Sequence, residues 1–190
     1  STFGVTPQGD WPYAPLALLG QGIDPGGHCW LRADPVHLQI GRRELVLSDH
    51  GLATLSAADA TSVAGTLNAH WQEDGFELVT PDPANWYLRA DRRLDARTVA
   101  LPEVIGRSIH DCLPTGPDAA RLHRAMTDAQ MLLDRHPLNV RREERGEPPV
   151  NSVWLWGAGV LPVVRPPGFA SVAAVDPVAT GLARAAGVVS

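Results

Sequence analysis

Seven histidines are spread through the chain, and several sit beside other residues that can ligate a metal or move a proton. His28-Cys29, Asp34-x-x-His37, Asp49-His50 and His110-Asp111-Cys112 are the candidates. None has the paired spacing of a zinc site, such as Cys-x-x-Cys or His-x-x-x-His, so no metal site is expected. His110 and Cys112 could share a face if they lay on a strand, as a base and a thiol nucleophile would need. Nothing in their neighbourhood would lower the thiol pKa, so the pair reads as structural. A Gly-x-Ser-x-Gly nucleophile turn is absent, and Ser152 has no glycine frame. Gly157-x-Gly159 at the end of an apolar strand is part of a nucleotide-loop pattern, but no acidic residue follows at the required distance. Two glycines serving a tight turn are the expectation there.

All sixteen basic residues are arginine and lysine is missing. The usual phosphate-binding P-loop, Schiff-base chemistry and protein-kinase catalysis all use a lysine amine, so the sequence excludes them. Arg141, Arg142 and Arg145 alternate with Glu143, Glu144 and Glu147, which predicts a solvated, salt-bridged loop. The alternative is one arginine turned inward to fork onto a phosphate or onto backbone carbonyls.

The elements that must position these groups follow from periodicity. The chain has 190 residues, 44% hydrophobic and 19% charged, as in a globular domain. Its net charge of −5 argues against nucleic acid as a partner. No apolar run is long enough to span a membrane. "STFGVTPQGDWPYAP" lacks the basic region and apolar core of a leader, so a cytoplasmic location with Cys29 and Cys112 as free thiols is expected. A short helix is expected around Ala14–Leu19 in an otherwise irregular lead-in, residues 1–27. "HCWLRAD", "VHLQI", "RELVLSD", "GFELVT" and "NWYLRA" read as strands. Ser56, with Asp59 three positions on, predicts the start of a helix with its apolar stripe at Ala60, Val63, Ala64, Leu67 and Trp71. A second helix runs to about Arg135, where His136-Pro137 stops it. Val153–Trp156 and residues 170–176 read as buried strands. The last helix spans about 178–187. The order of elements predicts an α/β (α+β mixed) fold with a central sheet flanked by helices.

The stretches "HPLN", Arg142, Gly146, "PPVN" and "WLWGAG" resemble the archaeal-type cofactor-independent phosphoglycerate mutases, members of the alkaline phosphatase superfamily. From about Pro15 to Val188 the chain is similar, more closely, to a bacterial family described as phosphoglycerate-mutase-related or as pathogenicity-factor regulatory proteins. "DAQMLLDRHPLN" and "NSVWLWGAG" carry the most specific matches. The resemblance implies the smaller α/β domain inserted into the metal-bearing phosphatase domain of these enzymes. It assigns residues 28–150 to that domain and 151–190 to two buried strands and a helix returning to the same or a parent domain. The nucleophile and the two divalent metals would belong to a phosphatase half, so no cofactor is expected in this chain.

The resemblance also implies charged groups that grip the substrate. Where an Asp-Arg-Arg-Ala-Gly-Arg stretch is expected, the sequence reads Ser48-Asp49-His50-Gly51-Leu52-Ala53. Asn85-Trp86 stands for a His-Arg pair, and Leu101-Pro102-Glu103 for Asp-Pro-His. Arg32 and Arg142 match. Arg32, Asn139, Arg142 and Asn151 are thus the candidate anion-binding or structural residues, and no catalytic residue is assigned. The implied function is a non-catalytic mutase-like domain with a regulatory or protein-interaction role and an unidentified protein partner. The alternative is a fragment of a metal-dependent phosphoglycerate mutase or related phosphate-ester enzyme. A small-molecule or nucleotide sensor built on the Gly157–Gly159 turn is a third reading.

Overall fold

The computed structural model describes residues 9–41, 44–48, 55–164 and 176–188. Among the described residues, six α-helices and five strands follow in order: α1 (Tyr13–Gly20), β1 (Cys29–Ile40), β2 (Leu45–Ser48), α2 (Ala57–Trp71), β3 (Phe76–Asp82), β4 (Asn85–Ala90), α3 (Leu101–Val104), α4 (Ala119–Leu133), α5 (Pro137–Glu144), β5 (Ser152–Gly159) and α6 (Pro177–Ala185). The strands form one antiparallel sheet in the order β2-β1-β4-β3, with β5 also paired to β1. This is the mixed α/β architecture that the sequence predicts.

The expected stretches on either side of Pro35 are one strand. Arg32 is the last β1 residue paired with β4, and His37 is the first paired with β2. Pro35 therefore sits where β1 has only β5 beside it, a position where a missing N–H breaks no ladder. Alternation along the strands then makes two buried clusters on opposite faces. Leu31, Ala33, Trp86, Leu88 and Leu155 join the main core with α2 and α4, whose apolar stripes supply Val63, Leu67, Trp71, Leu122, Met126 and Leu133. Trp30 and Tyr87 face the other way and pack against Ala14, Ala17 and Leu18 of α1, with Val178 of α6 alongside. Ser56 caps α2 as expected: its Oγ accepts from the Asp59 N–H at 3.1 Å.

The 136–147 region differs from expectation. It is not a loop: α4 stops at Leu133, His136 is extended, and Pro137 opens α5, occupying its first turn. Proline suits that position because its fixed φ is helical and the N–H it lacks would have no partner there. The predicted strand at residues 170–176 lies, but for Asp176, outside the described residues.

Candidate functional site

The cleft of about 450 Å³ on the α1 side of the sheet is lined by Tyr13, Arg32, Asp34, Leu101, Pro102 and Trp156, among others. Arg32 and Asp34 are two apart on β1, so both point to this face. The Arg32 guanidinium is ion-paired to Asp34, donates to Asn85 Oδ1 at 2.8 Å and lies 4.9 Å above the Tyr87 ring centroid. The second oxygen of Asp34 accepts from Trp156 Nε1 at 2.6 Å. Trp156 in turn meets the Tyr13 ring, centroids 4.5 Å apart and tilted by 43°. Burial is the largest single influence and disfavours the charge on Arg32, but Asp34 and Tyr87 together, by charge and hydrogen bonding, hold the guanidinium pKa above its ordinary value. Burial, and after it the Asp176 carboxylate, pushes the Tyr13 phenol up, so Tyr13 meets any ligand as a neutral hydroxyl. Arg32 is the one basic side chain among the described residues lining this cleft, and its charge is already matched.

The other three candidates lie together, away from Arg32, at the junction of α5 and β5. Asn139 Nδ2 donates to the carbonyls of Leu133 (2.6 Å) and Val150 (2.8 Å), and its Oδ1 accepts from the Val150 N–H at 2.8 Å. Asn151 treats Leu38 in the same two-point way, accepting from its N–H and donating to its carbonyl, both at 2.7 Å. Each carboxamide thus replaces a neighbouring strand for one residue. Arg142 Nε donates to the Pro148 carbonyl at 2.7 Å, with Glu147 at 3.3 Å from the guanidinium. Arg142 is 2% exposed.

Several other expectations are corrected. Gly157 and Gly159 do not turn the chain. Both lie inside β5, where the β1 register shifts by one residue between Trp30 and Arg32, and Gly157 has φ +69°. That is a glycine-led bulge. A Cβ on Gly157 would come 2.7 Å from Tyr13 Cβ, and one on Gly159 2.5 Å from Pro12 Cβ, so the glycines admit α1 to the sheet. His110–Cys112 form a 3-10 turn, not a strand, with Cys112 buried and His110 exposed. Asp49 and His50 lie outside the described residues. Among the described residues, no three His, Cys, Asp or Glu side chains converge to hold a metal ion. Also among the described residues, no helix is long and apolar enough to cross a membrane.

Sequence reading missed Asp34 and Tyr13 as members of the cleft. The Arg-x-Asp spacing in a strand was the available signal for a pair on one face. Asn85 was marked only by the resemblance, as the place of a replaced charged ligand, and Tyr13 carried no signal.

No family model matches the chain. It is 30% identical over 166 residues to the probable 2,3-bisphosphoglycerate-independent phosphoglycerate mutase of Geobacter sulfurreducens, covering 85% of this chain and 41% of that protein. It is 40% identical over 176 residues to the 2,3-bisphosphoglycerate-independent phosphoglycerate mutase of Methanothrix thermoacetophila, covering 83% and 44%. The cofactor-independent phosphoglycerate mutase structure from Thermoplasma acidophilum superposes with a TM-score of 0.58 at 19% identity, over 99% of this chain and 54% of that one, a likeness of fold. The chain's homologues are cofactor-independent phosphoglycerate mutases of the alkaline phosphatase superfamily, and it spans less than half the length of these two curated relatives.

Proposed function

We propose, from this homology to the cofactor-independent phosphoglycerate mutases, that the chain is a mutase-like domain that does not grip phosphoglycerate and acts instead as a regulatory or protein-interaction module. The observation that carries the reading is the matched charge of Arg32. A dianionic phosphate ester needs several charge-assisted hydrogen bonds to offset its desolvation. The cleft's one described cation already has Asp34 and Asn85 as partners. Two of the positions where the resemblance implies charged ligands are Asn85, which is occupied with Arg32, and Leu101-Pro102, which line the same cleft. The third, Ser48–Ala53, lies almost wholly outside the described residues.

Calorimetric titration of the protein with 3-phosphoglycerate tests this, beside an Asp34→Asn variant. No saturable binding by the parent is expected, with weak binding appearing once Asp34 no longer masks Arg32. Saturable binding by the parent that Arg32→Ala abolishes overturns the reading.

A second reading rests on the 40% identity to a mutase and on the fraction of it that the chain spans. The chain would then be the metal-free part of an active enzyme, with the nucleophile and two divalent metals supplied by the remainder. Turnover of 2- and 3-phosphoglycerate by the full gene product with manganese, free of host mutase, would establish that reading in place of the first.

A further inference from the structure

His136 does two structural tasks with one neutral ring. It is 4% exposed and caps α5, where its Nδ1 accepts from the Leu138 N–H at 3.2 Å. Its other nitrogen, Nε2, lies 3.2 Å from Thr66 Oγ1 and 3.5 Å from Ser62 Oγ, both on α2. Thr66 gives its own proton to the Ser62 carbonyl at 3.2 Å, which leaves its oxygen to accept. Both bonds of His136 are then satisfied by one species, the neutral tautomer with its proton on Nε2. A second contact ties the same two helices: Arg141 of α5 pairs with Asp59 of α2 at 2.7 Å.

We propose that His136 is an acid-sensitive latch between α2 and α5, a device independent of the cleft. A proton on Nδ1 turns the cap acceptor into a donor facing the Leu138 N–H and the positive end of α5. The ring can no longer cap the helix. The charges facing it are mixed: Arg141 opposes the new positive charge and Asp59 favours it, and these two already neutralise each other. At the end of α4, Asp134 and Arg135 pair with one another in solvent, their side chains 75% and 96% exposed. Burial holds the His136 pKa below its ordinary value, so the latch stays shut near neutrality and opens in acid. Opening reaches beyond α5. Asn139 and Arg142 ride on that helix and hold Val150 and Pro148, which lead the chain into β5. Acid release of α5 therefore also frees residues 145–151, while β1, β3 and β4 remain paired.

Hydrogen–deuterium exchange of the intact protein at several values between pH 7.5 and 5, corrected for intrinsic rates, tests the latch. Protection of peptides covering α5 and residues 145–151 should fall by up to roughly tenfold per pH unit below about 6.5. Peptides of β3 and β4 should stay protected over the same labelling time. His136→Asn keeps a side-chain cap without the titration, and its α5 should exchange alike across the range. Should that variant fail to fold, the parent's His136 ring, followed by NMR, must titrate together with the α5 amides. An α5 indifferent to pH overturns the proposal, as do joint exchange with β4, a retained response in His136→Asn, and a mismatch between ring and amides.

Discussion

Arg142 and Arg145 are three residues apart and differ in what they touch. Arg142 is buried and holds the Pro148 carbonyl, whereas Arg145 is 55% exposed in its side chain and reaches Glu147 at 3.1 Å. Arg142→Ala strands a buried acceptor and is expected to cost about 1–3 kcal/mol. Thermal melting should show a fall of several degrees for Arg142→Ala and almost none for Arg145→Ala. Lysine at 142 should recover part of the loss, because an ammonium cannot keep both the carbonyl and Glu147 in one fork. If Arg142→Ala melts like the parent yet abolishes binding of a phosphorylated ligand, its role is functional. The asparagines make a second test at this scale. Asn68 clamps Leu78 of the edge strand β3 as Asn151 clamps Leu38, with bonds of 2.6 and 2.9 Å. Asn151→Leu leaves the Leu38 N–H and carbonyl unpaired, and urea unfolding should show a loss of about 1–3 kcal/mol. An unchanged midpoint would mean that water replaces the carboxamide at no cost.

At the scale of elements, α6 is held to α1 by close approach. A Cβ on Gly20 would collide with the Pro177 carbonyl, and one on Gly181 with the Leu16 carbonyl, so the two backbones touch. Arg184 adds a bond to the Leu19 carbonyl at 2.9 Å. Gly181→Ala sets two effects against each other. Alanine favours a helix by about 1 kcal/mol over glycine, while overpacking against rigid backbone costs about 1–3 kcal/mol or more. The collision should win, and limited proteolysis should cut near α6 sooner in the variant. Slower cutting would mean that the helices slide apart without penalty. Element α5 was harder to foresee. His136-Pro137 serves equally as the stop of α4 and the start of α5, and the run of arginine and glutamate after it has no apolar stripe. Its buried residues, Leu138, Asn139 and Arg142, include only one apolar side chain.

For the whole molecule, three shifted groups act in one direction in acid. His136 has a depressed pKa, so the folded state binds fewer protons than the unfolded chain. Its contribution is present above the ordinary histidine value of about 6.5 and is lost as pH falls below it. Asp59 is lowered by hydrogen bonding from Ser56 and then by Arg141, and Asp118 by Arg92 and the Asp95 N–H. Their contributions are present above the unfolded carboxylate value of about 3.9 and are lost as pH falls through the folded one. The melting temperature should therefore fall in two stages, one starting near pH 6.5 and one below about pH 4. His136→Asn should remove the first stage alone. A melting temperature that rises on acidification from pH 7 to 5 would contradict the sign for His136, and one that rises below about pH 4 would contradict the sign for the two carboxylates.

Sequence by itself determined what depends on neighbours along the chain. The Ser56 cap, the stripes of α2 and α4, and the alternation of β3 and β4 are set within one or two turns or strand steps. Asn139, Arg142 and Asn151 were picked out by a resemblance of motif, and their partners lie on the Pro148–Val150 segment and on Leu38, carried by other elements. Only the tertiary structure decided that β5 lies against β1, that Gly157 is a bulge, and that Asp34 meets a tryptophan 122 positions away. Those facts depend on strand register, which is fixed when both faces of the sheet bury their side chains together. A one-residue slip of β5 would turn Trp156 to the opposite face of the sheet, away from Tyr13, and leave Asp34 to Arg32 alone.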